Sequence, residues 1–263
     1  MSKKQNKTKQ NKTKQNKTKQ NKTKQNKTKQ NKTKQNKTKQ NKTKQNIVIV
    51  GSSGHAKVII DIIEKEEKYK IVGLLDAFKN IGESAFRYEI LGEEKDLPKL
   101  IKKYQLTGCV IAIGDNWIRN IVKNKIREID ASFNFINTIH PSAIIARGVA
   151  VGSGTVIMAG TVINSNSKIG DFCIINTNAS LDHDNNISDF SSIAPGVTTG
   201  GNVTMGEFTT VSLGANIIHG ITIGKHSVIG TGSTVLKNVG DYVVAYGTPA
   251  KIIRKRKEGD KYL

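Results

Sequence analysis

The pattern of apolar and polar positions changes twice along the chain and divides it into three parts. From Ser2 to Asn46 there is no apolar residue. From Ile47, short apolar runs alternate with stretches of helical spacing. From Ile145 onward, large aliphatic residues recur every six positions.

The middle part reads as an α/β unit. Ile47-Val-Ile-Val50 has the length and composition of a buried strand. It runs into Gly51-Ser-Ser-Gly54-His55 and then an amphipathic helix over Ala56–Lys68, with Val58, Ile59, Ile62 and Ile63 facing inward. A second strand, Ile71 to Leu75, ends at Asp76, and a second helix covers Asp96 to Tyr104. Cys109 to Ile113 is a third buried strand, followed by Gly114-Asp115-Asn116 and a helix to Ile129 that Asp115 or Asn116 can cap. Strands alternating with helices predict a Rossmann-like parallel sheet with right-handed crossovers. Ligands of such sheets bind beyond the carboxyl ends of the strands. Gly51–His55, Asp76 and Gly114–Asn116 all fall there.

In the last part, stepping by six from Ile145 visits Val151, Ile157, Ile163, Ile169, Ile175, Leu181, Ile187, Ile193, Thr199, Met205, Val211, Ile217, Ile223, Ile229 and Val235. Thr199 alone departs from the large aliphatic type. Small residues follow four positions on, as at Thr155, Thr161, Ser167, Cys173 and Ala179. This hexapeptide pattern predicts a parallel β-helix of about five triangular coils, three hexapeptides to a coil. The predicted organisation is a tail over residues 1–46, a Rossmann-like head over 47–138, a β-helix over 139–253 and a basic end over 254–263.

Composition changes this picture mainly by removing a false lead. The unit Lys-Thr-Lys-Gln-Asn runs eight times from Lys7 to Asn46. Such a segment cannot offset the entropy of ordering its backbone, so a disordered tail is expected. It carries 18 lysines and no acid, so the net charge of +21 falls to +3 for residues 47–263. The high pI therefore gives no ground for a nucleic-acid partner. The repeat is also what a tract of AAAAC encodes, since AAA ACA AAA CAA AAC reads Lys-Thr-Lys-Gln-Asn. A five-base unit shifts the frame whenever one is gained or lost, so the tail suggests a gene that slippage switches on and off. The rival reading is a polybasic arm for RNA or anionic membrane. Neither a secretory signal nor a membrane span is visible, and Cys109 and Cys173 read as buried reduced thiols of a cytoplasmic protein.

Candidate chemistry centres on His183-Asp184, in the polar stretch Leu181-Asp-His-Asp-Asn-Asn186. Group transfer to an amine or hydroxyl needs a base for the nucleophile's proton. An imidazole suits that task, and a neighbouring carboxylate can fix its tautomer. The same stretch also reads as a solvated turn. In the head, Gly51-x-x-Gly54 after a strand can bring backbone amides to a phosphate at a helix N-terminus. It is neither a Walker motif nor GxGxxG. Arg119 reads as a phosphate partner or as part of a solvated helix face. His140, His219 and His226 have no adjoining acid, and no spacing supports a metal site. The Lys251–Lys257 run reads as a solvated tail.

Taken in order, Gly51-x-x-Gly54-His55, Ala112-Ile-Gly-Asp-Asn116 with Arg119, Ile139-His-Pro-Ser-Ala143, His183-Asp184 and Gly247-Thr-Pro-Ala-Lys251 resemble the sialic acid O-acetyltransferase (NeuD-type) family. That family includes the N-acetyltransferases of 4-amino-4,6-dideoxy nucleotide sugars, the bacillosamine-pathway enzyme among them. The resemblance covers Ile47 to Ile253. It implies a left-handed β-helix, where general crossover chirality alone would favour the right hand. It implies a homotrimer with active sites between neighbouring coils and acetyl-CoA as cosubstrate. By it, His183 is the general base and Asp184 its acidic partner, where the family often has Glu. Ser192 stands where the bacillosamine-pathway enzyme has a second histidine. Gly201, Leu213, Gly214 and Gly230 would contact acetyl-CoA, with the Gly201 amide as a candidate donor to the thioester oxygen. Gly51, Ser53, Gly54, His55, Asp76, Gly114 and Asn116 would line a UDP-sugar site, with His55 near phosphates or sugar and Asp76 toward the nucleoside. N-acetylation of a UDP-linked 4-amino sugar is the leading expectation. O-acetylation of sialic acid or another surface sugar, under phase-variable expression, is the rival. A noncatalytic trimeric scaffold or polybasic binding module is the reading from a different class.

Overall fold

The computed structural model describes residues 44–261. The tail expectation falls mostly on residues 1–43, outside the described residues. The last two residues of the repeat, Gln45 and Asn46, open the first strand, β1 (Gln45–Val50). Asn46 there donates to the carbonyl of Tyr104 at 2.7 Å.

The head follows as α1 (Gly54–Glu66), β2 (Tyr69–Leu75), β3 (Ser84–Ala85), β4 (Tyr88–Gly92), α2 (Leu97–Tyr104), β5 (Leu106–Ile111), α3 (Asn116–Ile129) and β6 (Asn134–Phe135). Its sheet has the order β3-β4-β2-β1-β5-β6, parallel throughout except for the β3–β4 hairpin. The order turns back at β1, so the crevice beyond the carboxyl ends of β1, β2 and β5 is a topological switch point. In α1 the buried stripe is Ala56, Ile59, Ile60, Ile62 and Ile63, while Val58 is 40% exposed. The expected inward Val58 is thereby corrected. The spacing Ala56–Ile59–Ile60–Ile63 is a single helical face, and Val58 lies off it. Asp115 is the cap of α3, accepting the N–H of Ile118 at 2.9 Å.

Beyond β6 the chain is built of two-residue rungs. Thr138–Ile139 is the first, one hexapeptide earlier than the pattern marked. Each rung pairs in parallel with the rung 18 residues later, as in Ile157↔Ile175↔Ile193↔Val211↔Ile229. Three such ladders form the faces of a triangular prism, a left-handed parallel β-helix. The first face runs from Thr138–Ile139 to Val228–Ile229, the second from Ile144–Ile145 to Thr234–Val235, and the third from Ala150–Val151 to Thr222–Ile223. From Ile157 to Val235 every residue of the six-step series is buried. The third residue of each corner takes left-handed backbone, from Gly148 through Asn166, Asp184 and Asn202 to Gly232. Asn and Asp are the L-residues that tolerate it best. Small hydroxyls at the fourth corner position tie successive coils, as where Thr155 donates to the carbonyl of Gly170 at 2.8 Å. The Gly247-Thr-Pro-Ala-Lys251 motif is the turn of a closing hairpin, Val243–Gly247 with Ala250–Lys255, and its Thr248–Pro249 bond is cis. Of the basic run, Arg256 is buried and its guanidinium donates to the carbonyl of Asp260, so that position is not part of a solvated tail.

The head sits on the first face. Val156, Met158 and Ile174 of the β-helix share one core with Ile47, Ile59 and Ile63 of the head. Between the third and first faces, Phe172, Phe190, Phe208, His226 and Tyr242 stack ring on ring at centroid distances of 4.7–5.0 Å. That spacing is the strand spacing of the sheet itself. Trp117 of α3 leans on Phe208 and His226.

Candidate functional site

His183 and Asp184 occupy the corner between the second and third faces. Leu181 buries the rung before them, and Asp184 takes the left-handed corner position with φ +56°. This turns its carboxylate onto the ring: His183 Nδ1 and Asp184 Oδ2 are 2.8 Å apart, and both side chains are about half exposed. The hydrogen bond that His183 donates to Asp184, and after it the charge of Asp182, raise the pKa of His183 above its ordinary value. With Nδ1 carrying its proton toward Asp184, Nε2 is the free basic atom.

One coil later, Gly201 lies directly against this imidazole. A Cβ there would fall 2.6 Å from Cε1 and 2.7 Å from Nε2. Gly201 is therefore the floor on which the ring rests. The amides on either side of it bond to the carbonyls of Ile217 and His183, whereas that of Gly201 takes no partner among the described residues.

Beneath the corner, the fold breaks its own aliphatic rule. Asn185, 1% exposed, donates to Thr199 Oγ1 at 2.7 Å and to the Asp182 carbonyl at 3.0 Å, and accepts the Val203 N–H at 2.7 Å. Thr199 departs from the series because it supplies the acceptor for this buried amide. Neither Asn185 nor Asp182 stood out in the sequence reading; the lapse at Thr199 was the available signal.

Of the residues expected to contact acetyl-CoA, Gly201 lies against the dyad and the other three do not. Leu213, 52% exposed, and Gly214 lie on the corner between the first and second faces, and so does Gly230. A Cβ at Gly230 would meet Tyr246 Cβ at 2.6 Å, so packing within the chain already accounts for that glycine.

In the head, Gly51 adopts φ +103° and passes so close to Ala112 that a side chain would crowd its carbonyl at 3.0 Å. Gly54 and Gly114 meet nothing within 4 Å of a would-be Cβ. Neither is a packing glycine. Ser53, at the N-cap of α1, makes no side-chain cap bond, and the first turn holds no acid. The start of α1 thus offers amides and the positive end of its dipole. Asp76 accepts Ser52 Oγ at 2.5 Å and the Phe78 N–H at 2.9 Å, joining the first two strand ends. His55 Nε2 is buried without a hydrogen-bond partner among the described residues, and burial, assisted by the charge of Arg119, pushes its pKa down to about 4. The ring is neutral in ordinary buffers.

Two head residues do other work than expected. Asn116 is 3% exposed. Its Oδ1 accepts from Arg119 at 2.7 Å and from Ser192 Oγ at 2.6 Å, while its Nδ2 donates to Thr210 Oγ1 at 3.0 Å. Both ends of the amide are consumed in joining head to β-helix, so Asn116 does not line the crevice. Arg119 is 1% exposed and donates to the carbonyls of Phe172, Ile113 and Gly114. It is neither a phosphate clamp nor part of a solvated face. Ser192 belongs to the same junction. His140 pairs with Ser142 Oγ at 2.7 Å on the first coil. Both cysteines are buried, and burial pushes the Cys173 thiol up to about 12.

Gly51–Asp76 and His183 stand apart in one chain. The head covers the first face, and the His183 corner is the one opposite that face. A groove of about 640 Å³ along the third face, walled by Lys168, Asn186, Thr204 and Lys225, holds none of the expected site residues. No helix among the described residues is long and apolar enough to cross a membrane.

The family described as PglD N-terminal domain matches residues 46–126. Over 114 residues, 43% of this chain, the sequence is 37% identical to UDP-N-acetylbacillosamine N-acetyltransferase of Bacillus subtilis, and the match spans 51% of that protein. Among solved structures, a mutant perosamine N-acetyltransferase of Caulobacter crescentus, in complex with CoA and GDP-perosamine, is 34% identical with a TM-score of 0.75. The match covers 80% of this chain and 97% of that one. The acetyltransferase domain of PglB from Neisseria gonorrhoeae, in complex with acetyl coenzyme A, is 25% identical with a TM-score of 0.72, covering 80% and 100%.

Proposed function

The chain belongs to the NeuD/PglD-type family of hexapeptide-repeat sugar acetyltransferases, and from that membership we propose that it moves the acetyl group of acetyl-CoA onto the amine of a nucleotide-linked amino sugar. A UDP-linked 4-amino-4,6-dideoxy sugar is the first acceptor to test. The observation that carries the reading is the His183–Asp184 pair, 2.8 Å apart at an open corner with Nε2 free.

In this reaction the sugar amine attacks the thioester carbonyl while His183 Nε2 takes its proton. The tetrahedral intermediate collapses, the C–S bond breaks, and the imidazolium returns the proton to the leaving thiolate. Asp184 holds the tautomer and stabilises the imidazolium. The unpartnered amide of Gly201 is the candidate donor to the developing oxyanion. In the head, the free start of α1 with Gly51, Ser53, Gly54 and Gly114 would receive the diphosphate. His55 would offer its neutral Nε2 to phosphate or sugar, and Asp76 would face the nucleoside.

A single chain holds these parts on opposite sides, and Leu213, Gly214 and Gly230 sit on yet another corner. We therefore infer a trimer in which His183 of one subunit meets the acetyl-CoA corner and head of its neighbour. Mixing His183→Ala subunits with subunits defective in acetyl-CoA binding would restore some complete sites if the walls come from different chains. Full activity from a stable monomer, by light scattering at assay concentration, would defeat the assembly.

The test of the activity is release of free CoA thiol from acetyl-CoA across UDP- and GDP-linked amino sugars and free sialic acid. Turnover with the amino sugars is expected, and His183→Ala should lower it by about 10²–10⁴-fold. Turnover with sialic acid alone would replace N- by O-acetylation. Turnover by His183→Ala within about tenfold of wild type would remove His183 from the chemistry.

A further inference from the structure

The residue before the base also carries a carboxylate. Asp182 Oδ1 accepts the backbone N–H of His183 at 2.8 Å and Asn164 Nδ2 at 3.1 Å. The second of these bonds comes from the equivalent corner one coil earlier, so Asp182 is gripped from a neighbouring coil while it grips the backbone of the base.

The preceding corner, Asn176–Ala179, shows what the turn alone requires. It has the same backbone: Asn178 has φ +57° where Asp184 has +56°. At its first position Asn176 Oδ1 accepts the N–H of Thr177 at 2.8 Å, the same bond as Asp182 to His183. A neutral amide satisfies that geometry. The turn therefore needs no charge at position 182, since the corner one coil later, with Gly200 at its first position and Asn202 at φ +57°, forms without any side-chain acceptor there, and the charge has another use. What lies beside it is an imidazole that must become positive during the reaction.

We propose that Asp182 is a positioning residue of acetyl transfer: a second carboxylate, oriented by Asn164, that fixes the backbone of His183 and stabilises the imidazolium formed when Nε2 takes the substrate's proton. This rests on His183 being the base. The two carboxylates divide the work. Asp184 meets the ring at Nδ1 and sets its tautomer, and Asp182 meets the backbone and acts on the ring through space. The charge of Asp182 contributes to raising the pKa of His183, second to the bond that the ring donates to Asp184. Among the described residues, the neighbouring corners present Ser165 and Asn164 on one side and Gly201 and Asn202 on the other, all uncharged, with His219 a further coil away.

The decisive variant is Asp182→Asn, which keeps the acceptor and removes the charge, as Asn176 does at its own corner. Three readouts are needed in the full-length protein: the His183 ring titration by NMR, kcat and KM against pH, and thermal stability. The titration midpoint should move to lower pH. The acid limb of kcat/KM should follow it, and plateau kcat should fall by about threefold to tenfold, a fraction of what a whole general base contributes. KM for acetyl-CoA and the melting temperature should stay at wild-type values. Asn164→Ala should move the same readouts in the same direction by less.

An unshifted midpoint in folded Asp182→Asn would overturn the proposal, even with His183→Ala inactive. Failure of Asp182→Asn to fold would overturn it too, since the turn would then need the charge. If His183→Ala kept full activity, the base assignment would fall instead, whatever the titration showed.

Discussion

Gly201→Ala tests the placement of the base with one methyl group. Gly201 is not among the left-handed positions, so alanine brings no backbone penalty there. Its Cβ would instead lie 2.6 Å from Cε1, 2.7 Å from Nε2 and 3.0 Å from Nδ1 of His183. Unstrained carbon contacts begin near ~3.5 Å, so the ring must retreat by about 1 Å. The bond from Nδ1 to Asp184, now 2.8 Å, cannot survive that shift with its geometry intact. A misplacement of about 1 Å costs on the order of 10²-fold in rate, or about 2.7 kcal/mol of transition-state stabilisation. The ring is half exposed and can swing outward, so stability should change by less than about 1 kcal/mol, a few degrees in melting temperature. The assay is steady-state kcat and both KM values beside a thermal melt. Gly240→Ala serves as the control, because a Cβ there meets nothing within 4 Å. A folded Gly201→Ala enzyme with kcat within about threefold of wild type would refute the reasoning.

Four further outcomes follow from the geometry. His55 keeps its proton off in the folded state down to about pH 4, whereas an unfolded histidine binds it near its ordinary value. Stability should therefore be complete above pH ~6.5 and fall as pH drops toward ~4, by up to roughly 3 kcal/mol; His55→Gln should flatten that slope in pH-dependent melts. Asn116→Ala strands Ser192 and Thr210 at the head junction and should cost about 2–4 kcal/mol in urea unfolding, where a loss under about 1 would deny the clamp. Thr199→Val restores the six-step rule yet removes an acceptor from Asn185; chemical denaturation should show a loss of about 1–3 kcal/mol, and a gain would contradict the buried pair. Deleting residues 2–44, which spares β1, should leave the kinetic constants within about twofold, and sequencing the gene should find an unbroken AAAAC tract; scattered synonymous codons would end the slippage reading.

The β-helix was legible because its repeat is local: each six-residue unit carries its own aliphatic, corner and small residue. The dyad was legible because its two members are neighbours in sequence. The head–helix clamp was not. Asn116 and Arg119 find partners at Phe172, Ser192 and Thr210, 53 to 94 residues away, and a helix face that turns polar toward a partner domain reads like one turned to water. The stacked column of Phe172, Phe190, Phe208 and His226 stood in the sequence at an 18-residue spacing, but one residue in 18 is too sparse for a six-residue search to flag. Val58 was misplaced because five apolar residues in the six positions 58–63 fit more than one helical face. The β3–β4 hairpin was missed because its first strand is only two residues long.

The pairing of every rung with the one 18 residues on also bears on how such a chain can change length over evolutionary time. An insertion or deletion of 18 residues adds or removes one coil and leaves every remaining pairing in phase. Any other change must be extruded at a corner, and the corners are not alike. One is closed by the aromatic column under the head, and one carries the dyad, where a single extra residue would carry His183 off Gly201. Heritable insertions are therefore confined to the corner of Asn176 and Leu213. If the tail is written in AAAAC units, it has a different step: three units add five residues and keep the frame. Variants of this protein should differ in length by multiples of five at the front and by whole coils, or by loops at that corner, behind.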